Sequence, residues 1–339
     1  MLETSQLISI YSRPIQQYLN DPSVTEICIN RFDDIWIEQN GSLRKTKSSF
    51  ETEINLNTFV TQIASNLNQS LDVSEHPILD ARLEDGTRIN AVLDSISLFG
   101  TCVSIRPFPK KLYTISDLVE LGSLTPRMLD VLEVSIQNHL NIVVSGGTGS
   151  GKTTILRALS SFIDKGERVV TVEDTCEHLL DKHPHVISLE APKRNGRENR
   201  LVVSMGTLIK NTLRMRPDRI IVGEIRDAEA ASAFLEAINT GHNGTLASIH
   251  ANSSADMFWR LSWLFAASAQ NFKPSEITAY IQNNIGLSIQ VDRCREGKRR
   301  ITEISWIDPE RKIISLFKYV DADWKIDVVG VAEFLEFYG

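Results

Sequence analysis

Residues 142–159, IVVSGGTGSGKTTILRAL, restrict the possible folds of this chain more than any other stretch. A short apolar run meets a glycine-rich loop and passes straight into an apolar stripe at helical spacing. Gly146 to Thr153 fits G-x-x-x-x-G-K-S/T without a gap. The run IVVS before it reads as a strand, and TTILRALSSFI after it reads as a helix with Ile155, Leu156, Leu159 and Phe162 on one face. Glycines let backbone N–H groups converge on a polyphosphate, and a helix N-terminus adds positive potential there. The candidate nucleotide-binding residues are therefore Gly146, Gly147, Thr148, Gly149, Ser150, Gly151, Lys152, Thr153 and Thr154. Lys152 is expected to reach the β- and γ-phosphates of the nucleotide, and the Thr153 hydroxyl to ligate Mg²⁺. Such loops serve kinases, GTPases, motors and exporters alike, so the loop alone does not fix the chemistry.

The surrounding pattern enlarges this unit. NIVVSG, RVVTVED, RIIVGEI and TLASIHAN are apolar throughout and alternate with helical stretches such as AEAASAFLEAIN, which predicts a parallel sheet covered on both faces. SLTPRMLDVLEVSIQ begins with helix-start chemistry, Thr125 as N-cap and Pro126 at the first helical position, and places Leu129, Leu132 and Ile136 on one face.

The first third of the chain reads differently. SQLISIYSRPIQQYLN predicts a helix, VTEICIN a strand, DIWIEQNGSL a hairpin with Asn40-Gly41 at its tip, and NLNTFVTQIASNL a second helix. ARLEDGTRINAVL and TCVSIRPF read as further strands, giving an α+β pattern with an antiparallel sheet. The expected division is residues 1–106, a linker at 107–116 carrying two prolines and two lysines, and 117–339. At 339 residues the chain is long enough for two cores.

Charge and cysteine usage exclude several classes. The net charge of −7 is divided as −4 over residues 1–113 and −3 over the rest, so no polybasic half suggests direct nucleic-acid binding. Cys28, Cys102, Cys176 and Cys294 include no Cys-x-x-Cys pair, which disfavours a zinc site or a disulfide framework and makes a reducing cytosol the default. The opening MLETSQLISIYSR lacks the basic start and apolar core of a signal peptide. No apolar run approaches about 18 residues, so membrane contact is expected through partners only.

Two strands of the expected parallel sheet end in acids: RIIVGE in Glu224, and VVTVED in Glu173 and Asp174. Both ends fall at the C-terminal edge that carries the phosphate loop, where ligands of open α/β sheets bind. Glu224 could hold the magnesium's water or orient the attacking one. A lone Glu after a strand is otherwise a solvated loop residue. NTGHNGTLASIHANS adds His242 and His250; a histidine here can report a γ-phosphate, or simply cap a strand end.

Taken together, these segments resemble the secretion (traffic) ATPases of type II and type IV secretion systems and of pilus assembly. GGTGSGKTT is similar to their Walker A loop, TVEDTCE to their acidic box, LRMRPDRIIVGEIRD to their Walker B segment and TGHNGTLASIHAN to their histidine box. ARLEDGTRINAV and VSIRPFPK resemble arginine-bearing strands of their N-terminal domain. The resemblance runs from about Asp21 to about residue 305. Its box wording is closest to the CpaF/TadA branch, while the short length suits the VirB-type conjugation branch. The absent Cys-x-x-Cys insertion argues against the main type II branch.

The resemblance implies an α/β protein: an N-terminal α+β domain followed by a RecA-like P-loop ATPase domain with a mainly parallel sheet. It implies Lys152 and Thr153 on ATP and Mg²⁺, Glu224 as the Walker B acid and second metal residue, Glu173 as the acidic-box carboxylate and His250 as the histidine-box residue. Arg88 and Arg106 would reach nucleotide phosphates from the first domain; without the resemblance, both read as a solvated sheet edge. It implies a homohexamer at the inner face of the bacterial inner membrane, working with secretion or pilus platform proteins. MFWRLSWLFAASA (257–269) is expected as a core or subunit-contact face, with a partner patch as the alternative, and DRCREGKRR (292–300) as a hairpin tip. A small-molecule kinase and a nucleotide-gated scaffold without turnover remain as alternative functions.

Overall fold

The computed structural model describes residues 11–83, 85–108, 112–175, 180, 183–191, 203–268, 272–294 and 297–339. The polar segment 192–200, the start of the first expected helix, part of the linker and the tip residues 295–296 lie outside them. The chain forms two compact units that part between Leu112 and Tyr113.

In the first unit, helix α1 (Gln16–Asn20) leads into strands β1 (Val24–Arg31), β2 (Asp34–Gln39) and β3 (Ser42–Lys45). The Asn40-Gly41 tip joins β2 to β3 as expected, with φ of 50° and 78° at the two positions. Both signs suit the two-residue turn that matches strand twist. Helix α2 (Glu53–Asn66), capped by the Thr52 side chain on the Asn55 N–H, precedes β4 (Ile78–Arg82), β5 (Arg88–Val92) and β6 (Cys102–Arg106). Among the described residues the sheet order is β3-β2-β1-β6-β5-β4, with every pairing antiparallel. Alternation divides its faces: Ile27, Ile37, Ile89 and Ile105 pack with Leu56, Phe59 and Ile63 of α2.

The second unit opens with α3 (Ile115–Glu120), so helix begins inside the expected linker. The reason is local: Thr114 and Asp117 form a reciprocal capping box. Next comes α4 (Pro126–Gln137), with Thr125 and Pro126 at the expected start positions. Its buried face is Met128, Val131, Leu132, Ser135 and Ile136, and Leu129 is only partly buried. The elements then run β7 (Ile142–Gly146), α5 (Lys152–Ser160), β8 (Val169–Glu173), β9 (Val186–Glu190), α6 (Met205–Thr212), β10 (Arg219–Ile225), α7 (Ala228–Asn239), β11 (Leu246–Ile249), α8 (Ser254–Ala266) and α9 (Pro274–Asn284). Strands β12 (Leu287–Arg293), β13 (Arg299–Ile307), β14 (Ile313–Val320) and β15 (Asp323–Ile326) and helix α10 (Val328–Tyr338) complete it.

The second sheet has the order β15-β14-β13-β12-β7-β11-β10-β8-β9 among the described residues. It is parallel from β12 to β9, and β13 to β15 add an antiparallel extension. Ile142 and Val144 join one core with α4 and α5, while Val143 joins the other with α7 and α8. Both faces are therefore covered, which is why these strands are apolar without alternation. No helix among the described residues is long and apolar enough to cross a membrane.

Candidate nucleotide site

The strand order explains how the site assembles. Strands β7, β11, β10 and β8 lie side by side and parallel, so their C-terminal ends share one edge. Along that edge come the phosphate loop after β7, His250 directly after β11, Glu224 in β10 and Glu173 at the end of β8.

The loop is built around close approaches. A Cβ on Gly146 would lie 2.2 Å from the Val291 carbonyl oxygen of β12 and 2.5 Å from Ser150 Oγ, so only glycine fits. Gly151, the N-cap of α5, has φ of 105°, which an L side chain rarely adopts. Lys152, Thr153 and Thr154 then open the helix, where N–H groups lack intrahelical partners.

Lys152 is buried and lies among oxygens and one ring nitrogen. Its Nζ is 3.1 Å from the carbonyl oxygens of Gly146 and of Gly147, 3.4 Å from His250 Nδ1 and 3.7 Å from Glu224 Oε1. His250 Nε2 lies 2.7 Å from that same Glu224 oxygen. Burial, helped by the Lys152 charge, holds the His250 pKa below its ordinary value, against the opposing pull of Glu224. A neutral imidazole with its proton on Nε2 satisfies both contacts: it donates to Glu224 and accepts from Lys152 at Nδ1.

Glu224 faces this cluster because β10 carries an irregularity. From Val222 to Ile225 the strand takes three steps while β11 takes two, from Ala247 to Ile249. An inserted residue of this kind re-aims side chains beside it. Glu173 is buried against the neighbouring strand, its Cγ 3.1 Å from where a Gly223 Cβ would stand. Thus Lys152, Glu224 and His250 come together, and Glu173 lies one strand away.

Arg226 is a functional candidate that sequence reasoning missed. It binds Glu224 through Nε and Asp174 through Nη1, bridging two acids from adjacent strands. The signal was its place two residues after Glu224, on the same side of an extended chain. His242 lies just beyond the end of α7. Its N–H donates to the Ala237 carbonyl at the end of α7, and its ring lies 3.5 Å from Thr240 Oγ1.

Helix α8 buries Met257, Phe258, Leu261, Leu264 and Phe265 but leaves Trp259 76% and Trp263 64% exposed. These indoles, with Asp256, Arg260 and His250, line a cavity of about 240 Å³. The aromatic segment is therefore core on one side and open surface on the other.

Arg88 and Arg106 belong to the first unit, where they are direct cross-strand partners; Arg82 stands opposite Arg88 on β4. Burial raises the Glu26 carboxyl above its usual range, against the pull of nearby Arg106.

A parallel α/β sheet with a glycine-lined phosphate loop, a buried lysine and facing acids defines a nucleotide-binding P-loop protein. Residues 11–312 match the family model described as Type II/IV secretion system protein. VirB11 of the Brucella suis type IV secretion system is 30% identical over 336 residues, covering 90% of this chain and 91% of that one. The conjugal transfer protein TrbB of Rhizobium radiobacter is 32% identical over 297 residues, covering 86% of each. In fold, the chain is similar to the Legionella pneumophila ATPase DotB, with a TM-score of 0.64 at 22% identity, covering 89% of this chain and 82% of that one. The chain belongs to the type II/IV secretion system family, the traffic ATPases.

Proposed function

We propose that the protein hydrolyses ATP to ADP and phosphate with Mg²⁺, as a homo-oligomeric, hexameric motor at the cytoplasmic base of a secretion, conjugation or pilus-assembly machine. The observation that carries this reading is the Lys152–Glu224–His250 cluster at the mouth of the phosphate loop. Phosphoryl transfer to water needs positioning and charge neutralisation more than covalent chemistry. The buried Lys152 opposes phosphate charge, and Glu224 accepts a hydrogen bond from the water it orients. His250 holds that carboxylate in place, and Glu173 adds a second acid from the adjacent strand.

The donor set fits magnesium. The Thr153 hydroxyl and the Glu224 carboxylate are hard oxygen ligands, and Mg²⁺ takes only one or two of these from a protein beside substrate phosphates and waters. When bound, the ion neutralises charge on the β- and γ-phosphates. Arg88 and Arg106 supply further positive charge from the first unit, which then senses whether phosphate is present. The exposed Trp259 and Trp263 are suited to a subunit or platform contact.

Phosphate release from ATP without an added acceptor, with and without EDTA, tests the reading. Lys152→Ala is expected to abolish release and weaken ATP binding. Unchanged hydrolysis by that variant would refute the phosphate-loop assignment.

A further inference from the structure

The phosphate loop is also held from the side opposite His250. Strand β12 lies against β7 on that flank, with Val291 in register with Gly146. The β12–β13 hairpin returns the chain with Arg299 at the start of β13. Arg299 Nε donates to the Gly149 carbonyl oxygen at 2.7 Å. Its stem runs over Gly151, with Cδ 3.5 Å from where a Cβ there would stand. One side chain therefore spans both glycines of the loop that have positive φ, 69° at Gly149 and 105° at Gly151.

Gly149 C=O and Ser150 N–H share one planar trans peptide, so they point in opposite directions. Anchoring the carbonyl outward on Arg299 turns the Ser150 N–H inward across the loop. There its contact with the Gly147 carbonyl is a long 3.4 Å, weak enough for an anion to replace. The guanidinium also brings a charge that does not titrate to the shoulder of an anion site.

We infer that Arg299 is a positioning residue of the nucleotide site: it braces the phosphate loop from the β12–β13 hairpin so that the loop N–H groups meet the β-phosphate already oriented. This role rests on the nucleotide-binding reading above. It concerns the nucleotide diphosphate moiety, so it acts on ADP and ATP alike and leaves the hydrolytic step to Lys152, Glu224 and His250. Loss of Arg299 should therefore weaken binding while sparing turnover at saturation.

The experiment measures the Kd of a fluorescent ADP analogue, with KM and kcat for ATP, in the full-length wild type and in Arg299→Ala, Arg299→Lys, Arg299→Gln and Lys152→Ala. Arg299→Ala is expected to raise Kd and KM about tenfold, ~1.4 kcal/mol of binding, with kcat within about twofold. Lysine keeps a donor and the charge, so it should recover most of the affinity; glutamine keeps only a donor and should fall between. Should the alanine variant fail to fold, the order wild type, lysine, glutamine decides the question. Arg299→Ala binding ADP as the wild type does, even with a lowered Tm, would reduce Arg299 to a structural contact and overturn the inference. So would equal losses in kcat and affinity that lysine does not rescue. If Lys152→Ala also binds as the wild type does, the nucleotide-site reading itself has failed; if it loses binding while Arg299→Ala does not, only this inference has.

Discussion

Replacing His250 separates the two contacts that its ring makes. The Nε2 bond to Glu224, at 2.7 Å, is charge-assisted, whereas the 3.4 Å approach to Lys152 is long. A hydrogen bond to a charged group contributes about 1.5–3 kcal/mol. At ~1.36 kcal/mol per decade of rate, losing it from the transition state lowers kcat by about 10- to 150-fold. The lower end is expected, because Arg226 still holds the other Glu224 oxygen. Glutamine can place an amide N–H near Nε2, so His250→Gln should keep kcat within about fivefold, while His250→Ala should not. The pH profile adds an independent test. The folded-state pKa lies below 6.5, so the neutral ring is present above that value. As pH falls through this window the unfolded chain takes up the proton first, and the stability tied to the neutral ring is lost. Once the folded protein protonates, a second cation stands beside Lys152 and kcat should drop; this acid limb should vanish in His250→Gln. Steady-state phosphate release at saturating ATP, from pH 5 to 9, reads both effects. His250→Ala turning over within about twofold of the wild type, or an acid limb that persists in His250→Gln, would refute the reasoning.

Other outcomes follow from the same geometry. Glu224→Gln should still bind ATP while turnover falls at least about a hundredfold, ~2.7 kcal/mol of barrier; near-normal turnover there with an inactive Glu173→Gln would reverse the two roles. Arg106→Ala removes an exposed side chain, so circular dichroism and Tm should stay near wild type while hydrolysis falls by up to ~10³-fold. A fragment starting at Tyr113, which retains the Thr114 cap, should bind ATP but hardly hydrolyse it; full-length rates from that fragment would remove the first unit from the chemistry. Arg219, 2% exposed, binds the half-buried Glu167 and the Ile136 carbonyl, so Arg219→Ala leaves both without this donor and should cost about 1–3 kcal/mol in denaturant melts.

What could be read from the sequence was what depends on neighbours along the chain. The phosphate loop is one continuous motif, the Asn40-Gly41 tip sets its own turn, and the Thr125-Pro126 start sets the frame of α4. The fully apolar strands gave the doubly covered sheet for the same reason, since each can be judged alone. Strand order cannot be read this way, and order decides which residues meet. Glu224 and His250 reach Lys152 because β11 and β10 follow β7 in space, an arrangement that no local spacing encodes. The inserted residue that re-aims Glu224 is visible only once β10 and β11 are paired. The contact between Arg299 and Gly149 joins residues 150 positions apart. From sequence that arginine was one of several basic residues at a hairpin tip, and it became part of the nucleotide site only when β12 took its place against β7. The aromatic helix α8 lies between these cases. Met257, Phe258, Leu261, Leu264 and Phe265 recur at helical spacing and fix the buried stripe, while Trp259 and Trp263, four apart, define a second stripe on another face. A helix that is apolar on two faces has one more surface than its own core requires. Read alone, the segment stood as a core or subunit-contact face with a partner patch as the alternative; it is the fold that buries one stripe and sets Trp259 and Trp263 beside His250, the residue that holds Glu224.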